Sequence, residues 1–480
     1  MSTVSRLQGM RDLAQESWHL KRDLQDRLIE LFSSFGYGCL ETPILEATEL
    51  FLRKSGGELA SRIYSFTDSG GAQVSLRPEF TSSILRYYLE NARENAGEIE
   101  LPARWQYSGP VFRYEASHPE SSGQFTQVGA ELVGAPSLMA DIEALGLAAM
   151  VPAELGITGW RLELADLDVL NSVLDAVGVS ERAKTFIGAS VPRLKESGDA
   201  VALVLEEAHW LHLTGRGGQD DYLGQAVDGL DDGQAKVVLH GLLQWSAAGQ
   251  LGQRNADEVV DRLLRKLRGG DDEGRLRRGL ELARDLAAVG GEPRAALEAA
   301  GSVVRSAGAD RTAFDRLSQC LDLLLAQGGI AGHLVLDFGL VRGLAYYNGI
   351  VFEVKHPGWP GALGGGGRYD GLARALGSEE PLPALGFAYN LEALLALARE
   401  TGGGARWSPE RPEALVLAAD PGSYLKALQA TSDLRQQGLL VELEVAGQEL
   451  EQALSYAAKK GIKQVVVVHQ DGRRTTHAAK

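Results

Sequence analysis

Hydrophobic residues recur at helical spacing near the start of the chain and at strand spacing soon after it. Leu20, Leu24, Leu28 and Phe32 repeat every four positions and predict a helix over residues 18–33. Residues 81–93 return to a helical period. Alternating apolar and polar positions predict strands at 72–80, 103–107, 110–115, 124–133, 334–338, 350–355 and 385–389.

The spacing of these strands indicates the fold class. Most are separated by hairpin-sized gaps, which favours an antiparallel sheet covered by helices over a doubly wound parallel sheet. Residues 161–330 differ, because amphipathic stretches near 255–268, 274–289 and 310–326 alternate with glycine-rich breaks. The pattern therefore predicts an α+β core from residues 1–160 and 331–400, interrupted by a helical insertion at 161–330.

A separate pattern begins after a linker at residues 401–412, whose Gly and Pro content is typical of a domain boundary. Residues 413–480 alternate three apolar strands with two helices closed by Gly438 and Gly461. Strands that alternate with helices predict a small parallel α/β sheet.

Composition narrows the function classes. The 480 residues are 44% hydrophobic and 23% charged, the balance of a globular chain, and the net charge of −16 excludes a general polyanion binder. Cys39 and Cys320 lie too far apart in sequence for a zinc motif or a disulfide framework, so no metal is predicted. No apolar run reaches membrane-spanning length and the first residues lack a signal-like segment, which predicts a cytoplasmic protein.

Residues 76–81 (LRPEFT) are the first of four segments with candidate chemistry. Glu79 and Thr81 stand two positions apart, so in an extended chain their polar groups face one side and suit an ammonium group. Pro78 and Glu79 are also typical of the first turn of a helix. Both interpretations stay open on the sequence alone.

A predicted hairpin over residues 110–115 and 124–133 is the second segment. Gln127, Gly129 and Glu131 share one face of its second strand, and Arg113 lies on the first. Burying such groups without partners costs several kcal/mol each, so the face is typical of a floor for a small zwitterion. The alternative is an exposed face with salt bridges.

Residues 340–353 and 364–371 are the third and fourth segments. Arg342 offers a guanidinium to a carboxylate, and Tyr346 and Tyr347 offer phenols to a polar ring. Asn348-Gly349 by itself predicts a plain hairpin with packed tyrosines. The glycine run before Tyr369 permits close backbone approach, and it is also typical of a flexible loop.

Taken in order, five segments are similar to the signature segments of histidyl-tRNA synthetase and its paralogues: LRPEFT, GPVFRYE with QFTQVGAELVG, LVRGLAYYNGIVFE, GGGGRYDGL and LGFAYNLEAL. The resemblance covers about residues 5–160 and 330–400, and the C-terminal piece. It implies a dimeric class II synthetase fold with a six- or seven-stranded antiparallel sheet. It also implies an anticodon-binding-like domain at 413–480 that is truncated after its third strand.

The resemblance implies a histidine pocket, residue by residue. Glu79 and Thr81 would hold the α-ammonium group, with Gln127 beside them. Arg342 would face the carboxylate. Arg113 matches the arginine that holds the ATP α-phosphate in the synthetases, and without ATP it would turn to the histidine carboxylate.

The same resemblance assigns the residues around the imidazole ring. Glu131 would accept a hydrogen bond from the ring, and Tyr347 would lie across it. Tyr346 would stand next to Tyr347, and Tyr369 would add a wall.

The sequence also departs from the synthetases. Asn390 and Ala393 stand where the last motif carries Gly and an ATP-binding Arg, and Ala345 stands where an Asp is usual. The loop 116–123 has no Lys or Arg. Loss of one contact to developing charge costs about 10²–10³ in rate. The histidine pocket is therefore expected to be kept, and the ATP and tRNA apparatus eroded.

That combination is similar to one paralogue in the family, the regulatory subunit of ATP phosphoribosyltransferase. The resemblance implies a non-catalytic subunit for the first step of histidine biosynthesis that activates a short catalytic subunit and mediates feedback by L-histidine. It implies a homodimer within a hetero-oligomer, with no cofactor and without tRNA. The alternatives are an active histidyl-tRNA synthetase, which ligates histidine to tRNA with ATP, and a synthetase-like protein for another amino acid.

Overall fold

The computed structural model describes residues 4–53, 61–94, 99–114, 123–196, 199–211, 213–214, 230–246, 260, 271–341, 346–401 and 411–479. The chain divides into two compact units, Met1–Leu13 with Leu20–Ala405, and Ala14–His19 with Arg406–Lys480. No helix within these described ranges is long and apolar enough to cross a membrane.

The strands follow in chain order. They are β1 (Gly38–Cys39), β2 (Leu45–Ala47), β3 (Ser65–Thr67), β4 (Gln73–Leu76), β5 (Ala103–Phe112), β6 (Gln124–Val133), β7 (Arg161–Asp166), β8 (Gly290–Gly291), β9 (Leu334–Asp337), β10 (Asn348–Lys355), β11 (Ala362–Arg368), β12 (Ala384–Asn390), β13 (Ala414–Ala418), β14 (Val441–Leu443), β15 (Gln464–Val468) and β16 (Arg474–Ala478).

A large mixed sheet forms the centre of the first unit. Within the described residues it has nine strands in the order β1-β5-β6-β12-β11-β10-β7-β9-β8. The run from β5 to β7 pairs antiparallel throughout, whereas β1 joins β5 and β9 joins β7 in parallel. The predicted antiparallel sheet with flanking helices is confirmed. A smaller sheet of order β2-β4-β3 lies in the same unit.

The helices of the first unit follow in chain order. They are Gln15–Ser34, which begins before the unit boundary, Thr48–Leu52, Thr81–Glu94, Leu138–Glu154, Leu167–Val177, Glu181–Glu196, Ala200–Trp210, Asp232–Ser246, Glu273–Ala287, Pro293–Ala307, Thr312–Ala326, Leu372–Ala375 and Leu391–Thr401. Leu20, Leu24, Leu28 and Phe32 are buried as the helical spacing predicts.

Two strands of the central sheet differ from the sequence-based expectation. β7 opens the block predicted as a helical insertion, and it pairs with β10, whose residues lie more than 180 positions later. Residues 160–164 (WRLEL) alternate apolar and polar positions, so this strand has a local signal that the prediction of a helical block missed. Its pairing with the distant β10 has no such signal. β11 contains the glycine run that was equally typical of a loop. The domain boundaries themselves remain a prediction.

The glycines of β11 form a strand because its neighbours leave no room for side chains. A Cβ at Gly366 would lie 1.9 Å from the Gly386 carbonyl oxygen. A Cβ at Gly364 would lie 2.5 Å from Cδ1 of Tyr389, a fully buried ring that covers this strand. The run is therefore required for close packing between β10 and β12.

The second unit contains an α/β sheet of order β14-β13-β15-β16 in its described part. β13 pairs in parallel with β14 and β15, as the alternation of strands and helices predicts. Helices Tyr424–Gln436 and Leu450–Lys460 connect these strands. β16 adds an antiparallel edge strand beyond the third predicted strand. Its sequence is polar (RTTHA), so the hydrophobic pattern does not predict it.

Candidate amino-acid-binding site

A cavity of about 470 Å³ opens on one face of the central sheet. Its floor comes from β6, β12, β11 and β10. Small residues at register positions 129, 386, 388 and 365 leave space above the sheet. The side chains that enclose this space are Arg62, Glu79, Thr81, Tyr107, Arg113, Phe125, Gln127, Glu131, Val341, Tyr346, Tyr347, Glu353, Leu363, Phe387, Tyr389 and Asn390.

Glu131 lies at the centre of a hydroxyl cluster. Among the described side chains, three hydroxyls donate to its carboxylate: Thr81 Oγ1 at 2.7 Å and Tyr107 at 3.1 Å to Oε1, and Tyr369 to Oε2. The side chain is 1% exposed. Burial raises the pKa of Glu131 to about 7, although the hydroxyl hydrogen bonds lower it. A buried acceptor of this kind suits an N–H group on a ligand.

Gly386 makes room for that carboxylate. It pairs with Glu131 across β12 and β6, and a Cβ there would stand 1.6 Å from Glu131 Oε2. Gly129 serves Tyr107 in the same way, because a Cβ at Gly129 would lie 2.6 Å from the tyrosine hydroxyl. The hydroxyl cluster therefore depends on both glycines.

Glu79 is the second buried carboxylate of the cavity. It precedes the helix Thr81–Glu94, and both of its oxygens accept from the Ser82 backbone N–H at 3.2 Å. Burial raises the pKa of Glu79, while the hydrogen bonds from Ser82 and the charge of Arg113 lower it. Glu79 therefore lies both at the start of the helix and in the cavity lining. Its contact with an ammonium group stays a prediction.

Gln127 and Arg113 also line the cavity. Gln127 is buried, and its Oε1 atom has no hydrogen-bond partner in the part of the chain that the structure describes. Such an orphan acceptor is costly unless a ligand donor meets it. Arg113 Nε donates to the Pro78 carbonyl at 2.9 Å, and its guanidinium carbon lies 5.3 Å from the centroid of the Phe125 ring.

Tyrosines form one wall. The ring centroids of Tyr346 and Tyr347 are 4.8 Å apart, and the Tyr346 ring meets the Tyr369 ring edge-on at 5.9 Å. These rings pack with Leu85 and Val133 in a buried cluster. An aromatic wall beside a buried acceptor suits a flat ring that carries N–H groups.

Most residues chosen from the sequence lie in this one site. Glu79, Thr81, Arg113, Gln127, Glu131, Tyr346 and Tyr347 line the cavity, and Tyr369 reaches it through Glu131. Arg342 lies outside the described residues. Their individual roles toward a ligand remain predictions.

Sequence reasoning missed Tyr107, Arg62 and Glu353, which also line the cavity. The register of the hairpin gives the signal for Tyr107, because it stands opposite Gly129 on the face that carries Gln127 and Glu131. No local signal identifies Arg62, which enters from a distant part of the chain.

The two departures in the last motif occupy different surroundings. Asn390 lines the cavity, and its Oδ1 accepts from the Ala393 backbone N–H at 3.1 Å at the start of the helix Leu391–Thr401. Ala393 is fully buried and does not belong to the lining. Among the described lining residues, the cations are Arg62 and Arg113.

The raised pKa of Glu131 predicts a pH dependence of stability. The folded state binds this proton more tightly than the unfolded chain, so the contribution is complete below about pH 4.5 and is lost as the pH rises through about 7. The wild-type free energy of unfolding should fall across this window by up to about 3 kcal/mol from this residue. Urea unfolding at pH 5 and pH 7.5 measures this change, and the difference between the two free energies of unfolding should be smaller in Glu131→Gln than in the wild type. Equal differences in the two proteins would contradict this assignment.

The central sheet, with its antiparallel run from β5 to β7 and its flanking helices, has the class II aminoacyl-tRNA synthetase-like fold. The family model of histidyl-tRNA synthetase matches residues 9–244 and 250–394. The chain belongs to this histidyl-tRNA synthetase family.

Three relatives that align with nearly the whole chain are histidine–tRNA ligases. Histidine–tRNA ligase of Thermococcus kodakarensis is 28% identical and aligns with 100% of this chain and 93% of its own length. That of Methanocaldococcus jannaschii is 28% identical over 96% of this chain and 90% of its own. That of Sulfurisphaera tokodaii is 26% identical over 98% and 92%.

Solved structures show the same fold. An apo histidyl-tRNA synthetase from S. aureus has a TM-score of 0.55 at 21% identity, covering 99% of this chain and 97% of its own. A histidine–tRNA ligase subunit from Alicyclobacillus acidocaldarius has a TM-score of 0.53 at 26% identity, covering 84% and 99%. A protein described as an ATP phosphoribosyltransferase regulatory subunit/histidyl-tRNA synthetase from Bacillus halodurans C scores 0.64 at 19% identity, covering 98% and 99%. At that identity the likeness shows the fold alone.

The prediction of a non-catalytic regulatory subunit is wrong. Five relatives that align with nearly the full chain are named histidine–tRNA ligase, and such ligases are enzymes. The prediction rested on departures at Ala345, Asn390 and Ala393 and on the loop 116–123, which has no Lys or Arg. Buried Ala393 shows only that its own position contributes no cation. The predicted catalytic partner depended on that role and has no further basis.

Proposed function

We propose that this protein is a histidine–tRNA ligase, which binds histidine in the cavity, activates it with ATP and transfers it to tRNA. The observation that carries the proposal is the buried Glu131 carboxylate, surrounded by hydroxyls beside an aromatic wall. This arrangement suits the N–H edge of an imidazole ring. The full-length relatives named histidine–tRNA ligase support the same substrate.

Charge complementarity supports the placement of the amino acid. Glu79 and the orphan oxygen of Gln127 offer acceptors to the α-ammonium group. Arg113 and Arg62 lie on the same cavity and offer positive charge to the phosphates of ATP. The histidine carboxylate then stands between the buried acceptors and these guanidinium groups.

The reaction follows from that placement. A carboxylate oxygen of histidine attacks the α-phosphorus of ATP, and the bond to pyrophosphate breaks, which gives histidyl-adenylate. A ribose hydroxyl of tRNA then attacks the acyl carbon and releases AMP. We assign the α-phosphate contact to Arg113. A fixed cation of this kind stabilises charge that develops in the transition state.

Pyrophosphate exchange tests the proposal. With histidine, ATP and Mg²⁺, the wild-type protein should exchange labelled pyrophosphate into ATP, and omission of histidine should abolish the signal. Arg113→Gln should lower the exchange rate by about 10²–10³, with a much smaller change in histidine affinity. Arg104→Gln is the matched control, because Arg104 pairs with Glu143 away from the cavity lining. Histidine binding by calorimetry with no exchange above background would refute a ligase.

A further inference from the structure

We propose that the buried ion pair between Arg368 and Asp141 is a positioning device for the candidate site, which fixes residues 368–370 so that Tyr369 stays hydrogen-bonded to Glu131. Neither charged residue lines the cavity. The inference rests on the proposed function, because histidine binding is its main readout.

Arg368 connects three parts of the fold. Its Nε and Nη2 atoms donate to Asp141 Oδ1 at 3.0 and 2.6 Å, within the helix Leu138–Glu154. Its Nη1 atom donates to the Ala135 carbonyl at 3.1 Å and to Asp370 Oδ1 at 3.2 Å. Both Arg368 and Asp141 are nearly fully buried. A buried pair with several hydrogen bonds holds one geometry, since any other leaves a charge unpaired.

Asp370 holds the other side of Tyr369. Asp370 Oδ1 accepts from the Ala384 backbone N–H at 3.0 Å, and Tyr369 N–H donates to the Ala384 carbonyl at 2.8 Å. Asn348 donates to Asp370 Oδ2 at 3.3 Å and accepts from the Asp370 N–H at 2.8 Å. Asn348 directly follows Tyr347, so the same contacts join the segment of Tyr347, which lines the cavity, to the segment of Tyr369.

Arg316 completes the network from the helix Thr312–Ala326. Its Nη2 atom donates to Asp141 Oδ2 at 2.5 Å, while Arg368 holds Oδ1. Asp141 has two cationic partners, so after loss of Arg368 its carboxylate is still paired with Arg316. A substitution at Arg368 should therefore loosen the segment around Tyr369 without leaving Asp141 unpaired.

The position of residues 368–370 affects the candidate site through the hydrogen bond between Tyr369 and Glu131. Tyr369 is fully buried, and its hydroxyl donates to Glu131 Oε2. Thr81 and Tyr107 donate to the other oxygen, and the charge of Glu79 acts in the opposite sense by raising the pKa of Glu131. Loss of the Tyr369 bond would raise this pKa further, so that less of the ionised acceptor is present at neutral pH.

A double-mutant cycle on histidine binding tests the device. Tyr369→Phe removes the hydroxyl directly, and Arg368→Met should act through the same contact. Each single variant should weaken histidine binding by about 5- to 20-fold, and the double variant should bind no more weakly than the worse single one. The pH midpoint for binding should rise in all three variants, a change that general destabilisation would not produce.

Arg368→Lys keeps the positive charge but cannot reproduce the two hydrogen bonds from Nε and Nη2 to Asp141. It replaces Arg368→Met in the cycle if that variant fails to fold. Arg104→Lys is the matched control, because Arg104 makes a similar paired contact to Glu143 at 3.0 and 3.0 Å. It should leave affinity and pH midpoint unchanged. Wild-type affinity in both folded Arg368 variants would overturn the device while the proposed function stands.

Failure of the wild type to bind histidine would instead refute the proposed function. In that case, the same double-mutant cycle, measured by urea unfolding of the ligand-free variants, tests whether Arg368 is coupled to Tyr369. Additive changes in the free energy of unfolding would overturn the coupling of Arg368 to Tyr369, and non-additive changes would support it.

Discussion

Replacing Glu131 by glutamine should weaken histidine binding by about 10- to 100-fold and bring pyrophosphate exchange close to background. The carboxylate is buried, accepts from three hydroxyls and lines the cavity, so a ligand N–H group would meet an acceptor that is already fixed in place. Glutamine has nearly the same shape, but it offers a neutral oxygen and an N–H₂ group in place of an anionic acceptor. A charge-assisted hydrogen bond of this kind contributes about 1.5–3 kcal/mol.

Calorimetry of histidine binding measures this effect, with thermal melts to confirm folding. Glu143→Gln is the matched control, because Glu143 also accepts from a tyrosine and an arginine but does not line the cavity. It should leave histidine affinity unchanged. Equal affinities for wild type and Glu131→Gln would mean that the ligand does not contact this carboxylate.

Gly386→Ala should remove histidine binding almost completely and destabilise the core. The added Cβ would lie 1.6 Å from Glu131 Oε2 and 2.7 Å from the Ala130 carbonyl oxygen. The carboxylate must then leave its hydroxyl partners, or β12 must move away from β6. Overpacking of this kind typically costs about 1–3 kcal/mol, and displacement of Glu131 adds the loss of its hydrogen bonds.

Urea unfolding and histidine titration of the same preparation measure both effects. Gly188→Ala is the control, because Gly188 lies within the helix Glu181–Glu196 and an added Cβ meets nothing within 4 Å. That change should stabilise the helix by up to about 1 kcal/mol and leave binding unaffected. Tight histidine binding by Gly386→Ala would show that the site tolerates a displaced Glu131.

Several site residues could be chosen from the sequence because they recur at every second position, which is the spacing of one face of a strand. Gln127, Gly129 and Glu131 alternate along β6, and this alternation places them on one face whatever the rest of the fold does. The pairing that brings Tyr107 opposite Gly129 and Gly386 opposite Glu131 depends on strand register. Register across distant segments has no local signal.

The glycine run of β11 shows the limit of a local interpretation. Glycine allows both a flexible loop and a tightly packed strand, so the sequence left the two open. The choice came from β10 and β12 on either side and from the Tyr389 ring, which leave no space for a Cβ at Gly364 or Gly366. Only neighbours that are remote in sequence could decide it.

The functional error had a related origin. Ala393 lacks the guanidinium that the family motif carries, and Asn390 replaces its glycine, so the motif by itself predicts a lost activity. Relatives along nearly the full chain favour the ligase instead. The cations that line the cavity come from several segments of the chain, and Arg62 belongs to one that the motif does not include.

The sequence by itself determined the helix and strand periods, the antiparallel character of the central sheet, the α/β pattern of residues 413–480 and the polar residues of β6. These properties follow from spacing along a few neighbouring positions. Only the tertiary structure decided that β7 joins the sheet, that Tyr369 donates to Glu131 and that Arg368 pairs with Asp141. Each of these contacts joins residues more than 180 positions apart, where burial and strand register, rather than local periodicity, select the partner.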